Sequence, residues 1–500
     1  MNRRKLLAVN SVTSLLYQIA TIVCGFILPR LILGTYGSEV NGLVNSITQF
    51  LAVISFLEMG VGAVVQSSLY KPLAEKNNEE ISKIISSANK FFSKIALVLL
   101  VYVIALLIIY PEIINGAFNR WYVDLLIIAI SISSFAQYYF GVVDTLLITA
   151  DQHGYVQYII NTFTLIFNSI FCAVLIRLGA SIQLVKLTTS IIFLIKPVLL
   201  RLYVNKKYKI DRKIKYKGEP IKQKWNGIAQ HVASIVLDQT DIIVLTIFST
   251  LSNISIYSVY HLVIYGIKNL FLSVTNGFRS LMGEMIAKNE KEELNKLFEY
   301  TEWLLHTGTT LIFGITGVLI IPFVEVYTKG ITDINYNVPL FAALITVANA
   351  GHCLRLPYNL LILAAGHYKQ TQSNYIIATM INIFISIISV RIFGLIGVAI
   401  GTLCAMFYQT IWMAIYDSDH ILNRPISSFI KHLFVDVITV VIASLLSYEF
   451  HMSSVSYFSW LVLAIKVGSI WAIVTFILNM IFYGGFIKNI LKTDMIKSKR

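Results

Sequence analysis

Residues 6–50 read LLAVNSVTSLLYQIATIVCGFILPRLILGTYGSEVNGLVNSITQF, a largely apolar stretch with one short polar turn. Its first part, residues 6–33, is long enough to cross a hydrocarbon core of about 30 Å as a helix. This run is too long for a cleaved signal peptide and lacks a small-residue cleavage site. We therefore interpret it as a retained transmembrane span.

Similar apolar stretches recur along the whole chain. Of its 500 residues, 56% are hydrophobic and only 13% are charged, and the mean hydropathy is +0.72. Backbone amides must pair within a bilayer, and the length and lack of strict alternation of these stretches exclude a barrel. The sequence predicts an all-α polytopic membrane protein with about fourteen transmembrane helices. The predicted spans are 6–33, 42–70, 91–111, 121–148, 155–177, 180–203, 225–250, 254–281, 301–328, 336–364, 371–391, 395–416, 426–447 and 457–484.

The net charge of +14 is explained by topology. If Met1 is cytoplasmic, most of the 40 basic residues fall in the inner segments and few at the outer ends. This distribution is the positive-inside pattern of membrane proteins. We therefore expect both termini in the cytoplasm and no nucleic-acid partner.

A basic stretch divides the chain into two halves. It runs from Arg201 to Lys224, between the sixth and seventh predicted spans. Glu80–Ile84 recurs as Glu293–Leu297 at an offset of 213, and each copy predicts an amphipathic helix on the cytoplasmic membrane surface. The His153 and His367 regions, like Arg177 and Arg391, match at an offset of 214. We predict parallel repeats: a six-helix lobe at 1–203, a linker at 204–224, a six-helix lobe at 225–416, and two additional helices with a basic tail at 417–500.

Motifs of enzymes and ATP-driven pumps are absent from the sequence. There is no GxxxxGK[ST], HExxH, CxxC or GxSxG pattern, and the four cysteines have no metal-site spacing. Asp417-Ser418-Asp419 has the DxD form of glycosyltransferases, but the predicted loop is too short for a nucleotide domain, so we interpret it as a solvated turn. The sequence therefore predicts no enzyme activity, cofactor or metal.

Ionisable residues inside predicted spans are the best candidates for function. Each costs about 2.5–3.5 kcal/mol near a helix centre on insertion scales. In span seven, His231, Ser234, Asp238 and Asp241 share one helix face. Other polar positions within spans are Arg30, Glu58, Gln66, Lys268, Asn276, Arg279, His352 and Arg355, with Pro357 making span ten breakable. Several of the ionisable residues also have a structural alternative. Asp238, Asp241 and Lys268 could form a buried ion pair, and the histidines could serve helix packing. Lys186, Lys196 and Lys466 could snorkel to the membrane surface, and Asp124 and Asp144 could be solvated at the ends of their spans.

The chain resembles the polysaccharide-transporter (Wzx-type flippase) branch of the multidrug/oligosaccharidyl-lipid/polysaccharide (MOP) exporter superfamily. The residues that carry this resemblance are the opening stretch 6–50, with Tyr36-Gly37 in a short outer loop and Val40–Leu43 opening span two. Leu237–Phe248 in span seven, followed by Ile256-Tyr257, matches as well. The resemblance covers essentially the whole chain and implies a V-shaped, MATE-like pair of bundles around a cavity lined by spans one, two, seven and eight.

The resemblance also implies a substrate and a set of cavity residues. Family members flip oligosaccharide repeat units linked to undecaprenyl pyrophosphate across a bacterial plasma membrane, for capsule, exopolysaccharide or cell-wall polysaccharide assembly. A polymerase and glycosyltransferases of the same pathway are implied partners. Cations would shield the pyrophosphate and polar groups would bind the sugar. The candidate cavity residues are Arg30, Lys268, Arg279, Arg355, Gln66, Asn276 and Glu58, with Gln239 and Tyr17 as further hydrogen-bonding groups.

Other functions stay open at this stage. In drug/cation antiporters of the same superfamily, membrane acids bind H⁺ or Na⁺, and Asp238 and Asp241 are candidates for such ion coupling. The alternatives are an H⁺- or Na⁺-coupled drug exporter of the same fold and a flippase for the peptidoglycan lipid precursor. A polysaccharide polymerase or ligase would need a sizeable outer loop, and the sequence has none.

Overall fold

The chain folds into helices throughout the part that a computed structural model describes, which is residues 3–57, 59–212, 214, 216, 218, 221 and 228–497. Most of the helices coincide with the long apolar stretches of the sequence, as the bilayer requires of a spanning chain. Their bounds are α1 Arg3–Ala52, α2 Met59–Ala74, α3 Asn78–Ile113, α4 Arg120–Ala136, α5 Val142–Ala150, α6 Gly154–Arg177, α7 Ile182–Lys207, α8 Ile228–Phe248, α9 Leu251–Ala287, α10 Lys291–Tyr327, α11 Pro339–Leu354, α12 Leu356–Ala364, α13 Tyr368–Phe393, α14 Leu395–Asp417, α15 Ser427–Ser447 and α16 Tyr457–Lys497.

The protein is a multi-pass membrane protein. Within the described residues, eleven helical segments are long and apolar enough to cross a bilayer. Eleven differs from the predicted fourteen for two reasons. The first two predicted spans merge in the single segment Val9–Ser55. The helices α8 and α9 both contain side chains outside the described residues and are not among the eleven, and the described part of α8 gives a shorter apolar helix, Gln239–Phe248. The finer count of fourteen stays a prediction.

The predicted loop at Tyr36-Gly37 is a break of a single residue within α1. Gly37 alone leaves the helical conformation, with φ 83° and ψ 175°. Only glycine adopts such a positive φ without a steric cost. Next to the break, the Tyr36 hydroxyl donates to the carbonyl of Ala180 at 2.6 Å. The chain therefore passes from the first predicted span to the second without a loop.

Two compact units make up the chain, Met1–Ser258 and Val259–Arg500. The division falls inside α9 rather than at the basic linker. The predicted lobes at 1–203 and 225–416 rest on the repeat, and their bounds stay a prediction. The surface helices predicted at Glu80–Ile84 and Glu293–Leu297 are wrong as separate elements. They form the first turns of the long helices α3 and α10, which run on without interruption.

Helix positions repeat along the chain. The helices α3, α5 and α6 begin at residues 78, 142 and 154, and α10, α12 and α13 begin at 291, 356 and 368. The offset is 213 or 214 in each pair, as in the sequence matches. The two units therefore reuse one order of helices.

A small polar cluster recurs at the same offset. Its members are Asn168, Cys172 and Thr189 in the first unit, and Asn382, Ser386 and Thr402 in the second. The Cys172 thiol donates to Asn168 Oδ1 at 3.2 Å, and Asn382 Nδ2 donates to Thr402 Oγ1 at 3.1 Å. Buried polar groups in a membrane must find partners. Cys172 Sγ also lies 3.2 Å from Thr189 Oγ1 of α7, so this residue links two neighbouring helices.

Two arginines fix the start of the basic linker to the first unit. Asp144 on α5 is fully buried, Arg201 Nε lies 2.7 Å from its Oδ2, and Arg212 Nη2 donates to its Oδ1 at 2.6 Å. The expectation that Asp144 is solvated is therefore wrong, because α7 and the stretch after it bring two guanidinium groups to it. Nearby, the Tyr208 hydroxyl donates to Asp151 Oδ2 at 2.5 Å. Burial and this carboxylate raise the pKa of Tyr208 well above its ordinary value, so the phenol keeps its proton.

The additional helix α16 packs on α10, and Trp471 forms part of this contact. Trp471 is 1% exposed and lies in an apolar cluster with Leu319, Ala443 and Val467. Its ring rests directly on Gly314, where a Cβ would come within 1.8 Å of Trp471 Cζ3. The absence of a side chain at Gly314 therefore sets the distance between the two helices.

Gly314→Ala is expected to destabilise the protein by about 1–3 kcal/mol, because the new methyl group overpacks the tryptophan site. The shift should appear as a lower Tm of the protein in detergent and as a change in tryptophan fluorescence. Gly468→Ala is the control, since nothing lies within 4 Å of a Cβ at that position. Equal Tm values for the two variants would contradict the packing argument.

Candidate functional site: a buried cationic cluster and a polar cavity

Two of the predicted cations share one site in the second unit. Lys268 on α9 is 8% exposed and Arg355 is 5% exposed. Both act electrostatically on His352, which lies on α11 one turn before Arg355. Arg355 Nη2 lies 3.1 Å from His352 Nδ1. The structure thus places two positive charges and an imidazole together at membrane depth.

Arg355 lies at the junction of α11 and α12 and keeps a helical backbone conformation there, with φ −73° and ψ −23°. The helix α11 ends at Leu354 and α12 begins at Leu356, with Pro357 in its first turn. Proline lacks an N–H and cannot continue the hydrogen-bonding of the preceding helix. Arg355 Nη1 donates to Gln409 Oε1 of α14, while Arg355 Nε is buried without an acceptor among the described residues. The guanidinium therefore keeps one donor that a ligand could satisfy.

The first unit contains a polar cavity of about 430 Å³. Irregular helix bounds it on two sides: a 3₁₀ turn at Val53–Leu57 and a π-helical turn at Gln137–Gly141. Such π-turns occur frequently at functional sites. The lining residues are Tyr17, Leu51, Ala52, Ile54, Ser55, Ser133, Ser134, Gln137, Tyr138, Asn161, Thr164, Leu165, Phe193 and Lys196.

Hydroxyl and amide groups dominate the polar lining of this cavity. Lys196 is its cation, and none of the described lining residues is acidic. Lys196 is half-buried on α7 at the wall of this cavity, and its snorkelling stays a prediction. Among the described lining residues, Tyr17 is the one that the sequence placed in the substrate path, whereas Lys196 was given a structural reading. Gln137 and Asn161, amides within otherwise apolar spans, are the signal that could have revealed the site.

Asp241 on α8 is 6% exposed, and the Tyr257 hydroxyl donates to its Oδ2 at 3.0 Å. Tyr257 lies in the part of α9 that belongs to the first unit. A carboxylate held by a phenol at this depth is compatible with a structural role or with ion binding. Its predicted partner Asp238 is on the same helix, and the side chain of Asp238 lies outside the described part of the chain.

The remaining predicted residues occupy separate places. Arg30 is half-buried on α1. Its guanidinium lies beside Gly34, one turn further along the helix, where an added Cβ would come within 2.9 Å of Arg30 Nη1. Gln66 is half-buried on α2. Arg279 is exposed and donates to the Tyr368 hydroxyl at 2.9 Å, away from the pair formed by Lys268 and Arg355. Glu58 and the side chain of Asn276 lie outside the residues that the structure describes.

The DxD segment is not the solvated turn that its sequence suggested. Asp417 is the last residue of α14 and is 1% exposed, while Asp419 lies in the following π-helical turn and is exposed. The helix simply continues into the predicted loop. Across the described residues, no group of three His, Cys, Asp or Glu side chains is arranged to hold a metal ion.

Solved structures share this architecture, although no protein-family model and no curated protein sequence matches the chain. The lipid II flippase MurJ in an inward closed conformation aligns with a TM-score of 0.71 over 96% of this chain and 99% of that one, at 19% identity. An inward-facing MATE transporter of the MOP superfamily gives 0.61 over 80% and 95%, at 15% identity. A Vibrio cholerae MATE transporter gives 0.58 over 84% and 98%, at 13% identity.

The chain has the fold that these flippase and MATE structures share. This confirms the predicted all-α polytopic class and the MATE-like architecture at the level of the fold. The MOP fold at this low identity does not fix the substrate, which has to be argued from the chemistry of the sites.

Proposed function

We propose that the protein is a flippase that translocates undecaprenyl-pyrophosphate-linked oligosaccharide repeat units from the inner to the outer leaflet of a bacterial plasma membrane. It would serve capsule, exopolysaccharide or other cell-wall polysaccharide assembly, by alternating access and without chemical change to the substrate. The observation that carries this proposal is the 430 Å³ cavity, whose described polar lining consists of hydroxyls, amides and Lys196 without a carboxylate.

The lining of the cavity suits a saccharide. Its volume falls in the range of about 300–1,000 Å³ typical of small-molecule sites. Ser133, Gln137, Asn161 and Thr164 offer the donors and acceptors that sugar hydroxyls need, and Tyr17 offers an aromatic face. An organic cation would be expected to meet an acidic group, so the lining disfavours the drug-exporter alternative.

The cationic cluster suits the pyrophosphate. A multiply charged anion cannot enter an apolar environment without partners, because burying an unpaired charge is very costly. Lys268 supplies a point charge, and Arg355 supplies a planar guanidinium that matches phosphate oxygens in bidentate fashion. Gln409 and His352 hold that guanidinium in place. Arg30, Arg279, Gln66, Asn276 and Glu58 stay predicted members of the substrate path.

Ion coupling at Asp238 and Asp241 also stays a proposal. The buried carboxylate of Asp241 with its Tyr257 partner supports it, since a buried acid responds strongly to H⁺ or Na⁺. Transport measured with the proton or sodium gradient collapsed tests the idea. Transport indifferent to both gradients would remove this role from the pair.

The experiment that tests the function is done in a strain that lacks the protein. Lipid-linked oligosaccharides should accumulate on the cytoplasmic leaflet while surface polysaccharide is lost, and the accumulated glycan would identify the substrate. Expression of the wild-type chain should restore export. Unchanged lipid-linked sugars in the deletion strain would reject the proposal.

A second candidate is a flippase for the peptidoglycan lipid precursor. The likeness to the lipid II flippase MurJ favours it. The same deletion strain separates the two, because loss of peptidoglycan precursor flipping would arrest growth, whereas loss of a capsule or exopolysaccharide flippase would remove only that polymer. The polysaccharide polymerase and glycosyltransferases are proposed partners only of the flippase for oligosaccharide repeat units.

A further inference from the structure

A buried network of ionisable groups lies in the second unit, apart from the cationic cluster and unused by the proposed function. His306 on α10 and Asp436 on α15 are its centre: Nδ1 of the imidazole lies 2.6 Å from Oδ2 of the carboxylate. Thr310 donates to the other oxygen at 2.7 Å. His306 is 1% exposed, and Asp436 is the tenth residue of the 21-residue α15, so the pair lies near mid-span.

Hydrogen bonds connect this pair to a second carboxylate. His306 Nε2 lies 3.2 Å from the Tyr358 hydroxyl, which donates to Glu302 Oε1 at 2.7 Å. Arg424 Nη2 donates to the same Glu302 oxygen at 2.5 Å, and His432 Nε2 lies 3.5 Å from the other. The rings of His306 and His432 stack, with centroids 4.9 Å apart. A continuous path for a proton therefore runs from Glu302 through Tyr358 to His306 and Asp436.

The charges of the network do not balance without protons. Its described buried carboxylates are Glu302, Asp436 and Asp417, and its guanidinium is Arg424. Neither oxygen of Asp417 accepts a hydrogen bond from a described residue. A net charge of minus two at membrane depth is strongly disfavoured, so neutrality requires two protons distributed over the carboxylates and the imidazoles.

Water has a route to the network. A pocket of about 170 Å³ is lined by Glu302, Arg424 and His432 and is rimmed by the exposed side chains of Glu299 and Lys431. The rim charges are opposite in sign and offset each other. The other titratable and charged groups on the elements around the His306–Asp436 pair are Glu299 and Glu302 of α10, Tyr358 of α12, Asp417 of α14, Arg424 of the stretch before α15, Lys431 and His432 of α15, and Tyr483 of α16. The Tyr483 hydroxyl lies 2.7 Å from His432 Nδ1.

The network is joined to the cationic cluster through one short helix. Tyr358 lies three residues after Arg355, so the two are one turn apart along the start of α12. Arg355 contacts Gln409 and His352, whereas Tyr358 contacts His306 and Glu302. A change in the network therefore reaches Arg355 over a single turn.

We infer that the His306–Asp436–Tyr358–Glu302 network is a proton-binding site whose occupancy controls the position of α12 and hence of Arg355. With its protons bound, the network is neutral and holds α12 in place; when they leave through the pocket, the excess negative charge loosens α12. The link to substrate rests on the proposed function, whereas proton binding itself does not.

Hydrogen–deuterium exchange of α12 in the full-length protein in nanodiscs tests the proton site without any substrate. Opening of α12 is expected to be about tenfold more frequent near pH 8 than near pH 5.5, after correction for the intrinsic exchange rate. His306→Gln and Asp436→Asn should each abolish this pH response. His451→Gln, at an exposed histidine between α15 and α16, should keep it. A wild-type protein without the response, or variants that retain it, would overturn the proposal.

The link to Arg355 is tested by binding of undecaprenyl pyrophosphate at the same two pH values. The affinity of the wild-type protein should be about tenfold higher near pH 5.5 than near pH 8. This pH difference should be smaller in His306→Gln, because the altered network no longer contributes its part of the difference. An equal pH effect in both proteins would overturn the link. Absence of binding at either pH, together with a pH-dependent α12, would reject the proposed function and leave the proton site standing.

Discussion

Replacement of Arg355 with glutamine is expected to reduce glycan export at least about 30-fold, because removing one member of a buried charged contact costs about 2–5 kcal/mol and each 1.4 kcal/mol is a factor of ten. Lys268→Gln should have an effect of the same order. The two positions lie in one cluster around His352, so the double variant should be little worse than either single one. Export is measured as surface polysaccharide in the complemented deletion strain.

Two controls separate charge from folding. Arg355→Lys keeps the charge but loses the planar fork, so it should retain part of the activity. Arg177→Gln removes a cation that is exposed at the end of α6 and should leave export unchanged. Membrane levels of each variant are compared by immunoblot. Full export by Arg355→Gln at a normal membrane level would refute the role of the cluster.

Asp144→Asn is expected to lower the free energy of unfolding by about 3–5 kcal/mol, since removing one partner of a buried ion pair leaves the other charge uncompensated. Here two guanidinium groups, of Arg201 and Arg212, would lose their common carboxylate. The effect should appear as a large drop in Tm in detergent. It should also expose the basic stretch after α7 to limited proteolysis.

The matched control is Glu284→Gln, which breaks the exposed pair that Glu284 forms with Lys288 at 2.5 Å. Exposed pairs contribute about 0–1 kcal/mol, so Tm should barely move. The double variant Asp144→Asn, Arg212→Gln should recover part of the stability lost by Asp144→Asn alone. If the double variant is less stable than the single one, the two residues do not act as a pair.

The sequence predicted the class of the protein and the position of nearly every helix. Long apolar stretches admit one structure in a bilayer, so α6, predicted at 155–177, begins at Gly154 and ends at Arg177. The repeat was also visible in the sequence, because His153 and His367 occupy equivalent positions directly before α6 and α13. The junction of α11 and α12 at Arg355 could be predicted from Pro357, because the effect of a proline on a helix is local.

The candidate site was predicted only in part, because burial depends on partners that are distant in sequence. Asp144 looked solvated at a span end until Arg201 and Arg212 were found beside it. Lys268 and Arg355 were both named as cations, yet their shared site depends on the packing of α9 against other helices. Lys196 and Asn161 meet in one cavity although 35 positions of sequence separate them. The proton network was missed entirely, since His306 and Asp436 belong to helices far apart in the chain.

The lysine near the centre of α9 has a consequence for how the chain is made. A helix that carries a lysine near its centre enters lipid reluctantly when it emerges alone from the insertion machinery. The groups that shelter Lys268 include α11, which is synthesised only after the 37-residue α10. Biogenesis of the second unit is therefore expected to be delayed: α9 should settle in the bilayer only after α11 has been translated, and membrane insertion and tertiary assembly become a single event for this part of the protein.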